Sequence, residues 1–201
     1  FIFNFFTGQC LAMLPQEVVI ENFHSNIHAL LDTFDNSKGT VGINLKRTEK
    51  TNELSVEVTK TDSFGKSQSE IFRLRGEKRL GKEYIDLGYG DNFYISDETI
   101  YVNSFFAECL SFLNTDLNVE ISNFAANQSF VLKANKITVK ERLSTDFSLS
   151  LFSKEDFYNT GTILAPLLNI TAGNVINKGR ISGRVLGINS LNLRFYHNIF
   201  R

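Results

Sequence analysis

Five side chains between Glu17 and Asp32 have the types and spacing to hold a metal ion. Glu17, Glu21, His24, His28 and Asp32 recur at three- and four-residue steps. On an α-helix, at 100° per residue, they fall within an arc of about 80°. His24 and His28 could each give an imidazole nitrogen to one Zn²⁺, with Glu21 or Asp32 as a third ligand. The competing reading is the solvated flank of an amphipathic helix, where charged residues sit in any case. No His-Glu-x-x-His pattern supplies a general base. The second reading is adopted: no metal, catalytic or cofactor-binding residue is assigned.

Other chemistry finds as little to work with. Arg73, Arg75, Lys78, Arg79 and Lys82 make a basic cluster, but Glu70, Glu77 and Glu83 are interleaved with it. A solvated hairpin fits it better than a nucleic-acid patch, and no recognition motif accompanies it. Gly88-Tyr-Gly-Asp91 is neither a dinucleotide fingerprint nor a phosphate loop and reads as a turn. No Ser lies in a Gly-x-Ser-x-Gly context, and the third His, His197, is near the C-terminal end. Cys109, in Ala-Glu-Cys-Leu-Ser, reads as a small buried apolar residue. Asn127-Gln-Ser129 and Asn169-Ile-Thr171 satisfy the glycosylation sequon, a frequent coincidence in a chain this rich in Asn. Carboxylates that cut sugar polymers or hold Ca²⁺ must converge. From Asn159 onward there is no Asp or Glu, and Glu141, Asp146, Glu155 and Asp156 just before it are not spaced for convergence.

The elements that would position these residues change character along the chain. Residues 1–14, FIFNFFTGQCLAML, form an apolar run too short to span a bilayer. They read either as the rear part of a secretory signal or as an internal core element. Residues 16–34 predict an amphipathic helix, with Ile20, Phe23, Ile27, Leu31 and Phe34 on one face. Asp35-Asn-Ser-Lys-Gly39 would stop it. Beyond Gly39 the period drops from near 3.6 to two, with Val41, Ile43 and Leu45, then Leu54, Val56 and Val58. Phe72 and Leu74 follow, then 84–88, 93–96 and 99–102, between Gly, Asn and Asp corners. These are short strands, in antiparallel hairpins or at solenoid edges. Residues 104–113 are ambiguous between a short helix and a buried strand.

A longer period then takes over. Phe130/Leu132, Leu149/Leu151, Leu168/Ile170 and Leu186/Ile188 are apolar pairs at steps of 19, 19 and 18 residues. Each reads as the inward-facing strand of one coil, with Ile137/Val139, Val175 and Ile181 on the other faces. Asn159-Thr-Gly161-Thr-Ile163 returns as Asn177-Lys-Gly179-Arg-Ile181. At this corner Gly would supply a positive φ, and stacked Asn residues would hydrogen-bond through their amides.

The stretch 158–193 resembles the repeat region of filamentous haemagglutinin-type exoproteins, the bacterial adhesins and contact-dependent effectors exported by two-partner secretion. Those repeats set an N-x-G-x-I corner after an L-x-I-x-A-G strand, as at 177–181 and 168–173 here. The resemblance fades back toward residue 117, and residues 1–116 resemble no family. It implies secretion or display at a bacterial cell surface. The implied partner is a host or neighbouring-cell surface, protein or glycan, with further coils of a longer parent chain possible.

Composition sets the remaining bounds. With a hydrophobic content of 42% and a charged content of 21% the chain is globular in type. Its formal net charge of −1 argues against an electrostatic partner for the chain as a whole. Lys178, Arg180, Arg184, Arg194 and Arg201 nonetheless leave the segment from 159 at +5 and the preceding residues at −6. Two Cys and two Pro argue against a disulfide framework. Nineteen Phe with no Trp is an unusual mix that the sequence does not explain.

The expected protein is mainly β. An apolar leader (1–14) precedes one amphipathic helix and a β-rich region (15–116), followed by a right-handed parallel β-solenoid (117–201). It carries no cofactor, metal, nucleic acid or membrane span. The expected function is that of a non-catalytic scaffold or contact surface of an adhesin-like exoprotein. The alternatives are a carbohydrate-active β-helix enzyme and a β-sandwich binding module.

Overall fold

A computed structural model describes residues 17–19, 39–48, 53–75, 77–87, 90–107 and 110–196. Nearly all of them are strand. In chain order these are β1 (Glu17–Val19), β2 (Gly39–Arg47), β3 (Glu53–Asp62), β4 (Ser67–Arg75), β5 (Glu77–Arg79) and β6 (Lys82–Asp86). There follow β7 (Phe93–Ser96), β8 (Thr99–Val102), β9 (Phe105–Ala107), β10 (Leu110–Thr115), β11 (Asn118–Ala126) and β12 (Phe130–Ala134). The last six are β13 (Ile137–Thr145), β14 (Ser148–Asn159), β15 (Thr162–Leu164), β16 (Leu167–Asn177), β17 (Arg180–Ser182) and β18 (Val185–Phe195).

From β10 onward every strand pairing is parallel and the strands wind into a β-solenoid of about five turns with three faces. The first face stacks Leu113, Leu132, Leu151, Ile170 and Ile188 in register. The second stacks Val119, Ile137, Phe157, Val175 and Leu193. The third stacks Phe124, Leu143, Ile163 and Ile181. The expected apolar pairs at 130–132, 149–151, 168–170 and 186–188 are therefore one column, and Ile137, Val175 and Ile181 stand on the other two faces. Successive side chains of a strand point to opposite sides. Alternation thus sends one set inward to the shared core and leaves the other outside.

The parallel stack reaches back past residue 117. On the second face β8 pairs parallel with β11, Ile100 lying against Val119. On the third face β9 does the same, Phe105 lying against Phe124. On the first face β10 pairs parallel with β2, so that Ile43 precedes Leu113 in the column. The other edges of β2 and β8 are antiparallel: β2–β3–β4 is one meander and β5–β6–β7–β8 another. Antiparallel hairpins and solenoid edges, which share a two-residue period, are thus both present. Residues 105–107 and 110–113 are strand, which decides the helix-or-strand ambiguity there.

The helix expected over 16–34 lies outside the described residues except at Glu17–Val19. There β1 replaces the first helical turn and pairs parallel with β4, Val18 against Phe72. Paired β-branched residues beside an available edge favour extended backbone. The 1–14 segment also lies outside the described residues.

One continuous core runs through hairpins and coils alike, from Val41 to Ile181. Part of the Phe excess is explained inside it. Phe93, Phe105, Phe124 and Phe130 form a row of rings with successive centroids 5.3, 5.9 and 4.7 Å apart. The row crosses from the hairpins into the first coils and gives way to Leu143, Ile163 and Ile181 farther along. Offset and tilted ring packing of this kind adds to area burial.

Candidate contact surface

The outside of the solenoid is set by its three corners. The second corner carries the repeated Asn-x-Gly-x-Ile motif. Asn159 and Asn177 are fully buried, and the Asn159 amide donates to Asn177 Oδ1 at 2.6 Å. Asn159 Oδ1 accepts from Gly161 N at 3.1 Å, and Asn177 Nδ2 donates to Gly179 O at 3.0 Å. The expected amide stack is therefore present and also closes its own turn. The role expected for the corner glycines is different. Gly161 and Gly179 are not among the residues with positive φ. They are glycine because the coils touch: a Cβ on Gly179 would lie 2.0 Å from Gly161 O, and one on Gly161 would lie 2.4 Å from Glu141 O. Close backbone approach, not turn handedness, excludes a side chain.

Further amide ladders carry no sequence motif. Asn192 donates to Asn174 at 2.8 Å and Asn174 to Asp156 at 2.7 Å. Asn135 donates to Asn118 at 3.1 Å. Asn114 donates to Asn44 at 2.9 Å across seventy residues of sequence.

The third corner opens into a cleft of about 310 Å³ lined by Thr145, Leu164, Ala165, Pro166, Ser182, Gly183 and Arg184. Three successive coils contribute to it, at the ends of β13, β15 and β17. Thr145 is buried, and among the described residues its hydroxyl has no hydrogen-bond partner. Two residues beyond this corner each of the three coils exposes a large apolar side chain: Phe147 (62% exposed), Leu167 (51%) and Val185 (59%). Leu167 and Val185 are register partners, and the Leu167 amide donates to Phe147 O. The three form a short apolar ladder beside the cleft.

The last coils are basic. Arg184 is exposed at the third corner, and Lys178 lies between two rings, 5.5 Å from the centroids of both Tyr158 and Tyr196. Such stacking holds an ammonium in place while leaving its charge outside.

The four acids just before the acid-free segment are divided among the corners. Glu155 stands at the first corner, Glu141 at the second and Asp146 at the third, while Asp156 opens the second face. Asp156 is engaged by Asn174 and by Lys136, whose Nζ is 3.7 Å away. Of the basic cluster, Lys78 and Glu83 are register partners in the β5–β6 hairpin. A 3₁₀ turn at Gly90–Asn92 follows β6. Asn127 and Asn169 are both exposed. His24, His28, Asp32, His197, Cys10 and Cys109 lie outside the described residues. Among the described residues no group of three His, Cys, Asp or Glu is placed to hold a metal ion, and no helix is long and apolar enough to cross a membrane.

No protein-family model, no curated protein and no solved structure matches the chain. Sequence reasoning missed the corner cleft and its ladder. Phe147, Leu167 and Val185 look like isolated exposed residues until the coil steps are laid over one another.

Proposed function

We propose that this chain is a non-catalytic contact element of an adhesin-like exoprotein, secreted or displayed at a bacterial cell surface. The observation that carries the reading is the Phe147–Leu167–Val185 ladder beside the third-corner cleft. Contiguous exposed apolar side chains rimmed by polar ones mark places where another surface docks. The stacked coils hold that ladder rigidly, and the separation of the nearby acids among three corners favours contact over hydrolysis. The resemblance of 158–193 to filamentous haemagglutinin-type repeats points the same way. The partner would be a protein or glycan on a host or neighbouring cell.

The test is binding of the fluorescently labelled chain to a panel of bacterial and animal cells. A variant with Phe147→Ser, Leu167→Ser and Val185→Ser is compared alongside it. The expected result is saturable binding to at least one cell type that the triple variant reduces about ten-fold while its circular dichroism is unchanged. Binding indifferent to the triple substitution, or no binding across the panel, would refute the reading. Turnover of a polyuronate by the purified chain would favour a carbohydrate-active enzyme instead.

A further inference from the structure

Thr145 is the exception in its column. At the inward end of the third face the register aligns Ala107 with Ala126, and Ala126 with Thr145. In the next coils Ser144 is followed in register by Leu164 and Ser182, so that Ala165 and Gly183 take the position after them. The neighbouring coils fill this place with Ala or Gly, and the fold does not call for a hydroxyl. The Thr145 side chain is only 5% exposed, and among the described residues its Oγ1 has no hydrogen-bond partner. A buried hydroxyl left unpaired costs stability, and Val would have the same shape without that cost.

Thr145 borders the third-corner cleft of about 310 Å³. Ligand pockets run from about 300 to 1,000 Å³, so this one has room for a single side chain or ring. Its walls Leu164, Ala165 and Pro166 belong to the interior of the stack: β13 lies between β11 and β15, and β15 between β13 and β17. Arg184 reaches the same cleft, its backbone N–H donating to Pro166 O at 2.9 Å. Its side chain is exposed, and among the described residues no carboxylate is paired with it. One recess thus combines an apolar wall, a hydroxyl and a guanidinium. A sugar ring would set hydroxyls against the apolar wall without partners. An aliphatic side chain fits that wall, a backbone amide satisfies the hydroxyl, and a carboxylate answers the guanidinium.

We propose that the third-corner cleft takes an aliphatic residue with an adjoining carboxylate from a partner polypeptide. This rests on the reading of the corner as a contact surface and names the chemistry of what it contacts. The Thr145 hydroxyl meets the partner's backbone, and the Phe147–Leu167–Val185 ladder covers the segment beside the anchor.

The probes are N-acetyl-leucine, its uncharged amide and glucuronate, each titrated into the full chain and followed by amide chemical shifts. Because they are small molecules, their binding is decided separately from the binding of cells. N-acetyl-leucine is expected to shift the amides of Thr145, Leu164, Ala165 and residues 182–185, and to bind about five-fold tighter than the amide at low salt. The difference should vanish at about 1 M salt and in Arg184→Gln. Thr145→Val should weaken N-acetyl-leucine about three-fold or more while its urea midpoint stays the same or rises. The proposal is overturned if N-acetyl-leucine binds no tighter than its amide, if glucuronate binds as tightly, or if the shifts fall away from this corner. It is overturned equally if Thr145→Val lowers the urea midpoint and leaves binding unchanged, since the hydroxyl would then serve the fold.

Discussion

Replacing Asn177 by Ala isolates the contribution of the buried amide pair. The substitution removes the acceptor that Asn159 Nδ2 reaches at 2.6 Å and the donor that satisfies Gly179 O at 3.0 Å. Each hydrogen bond is worth about 1 kcal/mol net, but a buried donor left without a partner costs about 1–3 kcal/mol more. Asn159 keeps only a long contact to Arg180 O at 3.4 Å, too weak to compensate. The expected loss is therefore about 2–4 kcal/mol, read from urea unfolding followed by far-UV circular dichroism. A single cooperative transition must be verified first, because repeat arrays do not always give one. Exchanging both members for Leu tests the pair as a unit. Asn159→Leu with Asn177→Leu leaves Gly161 N and Gly179 O orphaned but no amide seeking its partner. The double variant should then be at least about 1 kcal/mol more stable than the two single Leu losses imply when added. A loss below about 0.5 kcal/mol for Asn177→Ala, or strict additivity of the double, would refute the assignment of stability to this ladder.

Gly179→Ala should destabilise by about 1–3 kcal/mol or more, since its Cβ would fall 2.0 Å from a backbone oxygen. Gly65→Ala, with nothing within 4 Å but a φ of +81°, should cost only about 1 kcal/mol, and thermal melts that rank the two the other way would contradict the close-approach argument. Phe157→Ala, a fully buried ring in the second-face column, is expected to cost about 3–5 kcal/mol in the same urea titration. Lys140→Ala breaks an ion pair with Glu120 at 2.5 Å, but Lys140 is half exposed. A change within about 1 kcal/mol, shrinking with added salt, is what urea titrations at two ionic strengths should return.

What the sequence carried of this fold was the part written in repeats. Leu149/Leu151 and Leu168/Ile170 announce a coil because alternation and a fixed step coincide in them. Val41, Ile43 and Leu45 alternate equally well, yet nothing local shows that β2 will lie parallel against β10 on one side and antiparallel against β3 on the other. That pairing spans seventy residues and leaves no period, and the Asn44–Asn114 bond it creates is invisible for the same reason. The corner glycines were legible as a necessity but not as a mechanism, because the atom that excludes a side chain belongs to the coil before. The third-corner cleft was hidden for a related reason: Thr145, Pro166 and Arg184 share it only after three coils have been superimposed. Residues 1–116 offered composition and period alone, too little to separate a cap from an independent domain.

The change of direction at β2 and β8 has a consequence for how the molecule comes apart. Beyond these two strands lie hairpins, whose partners are near in sequence and close cheaply. On their other side each coil is held by its neighbours alone, and stability passes along the stack from one layer to the next. Opening should therefore pass through the coils layer by layer and halt where it meets the hairpins. Native-state hydrogen exchange would record this as protection falling in steps from β11 through β13 and β16 to β18. A uniform protection plateau across those strands would instead mean that the whole stack opens at once.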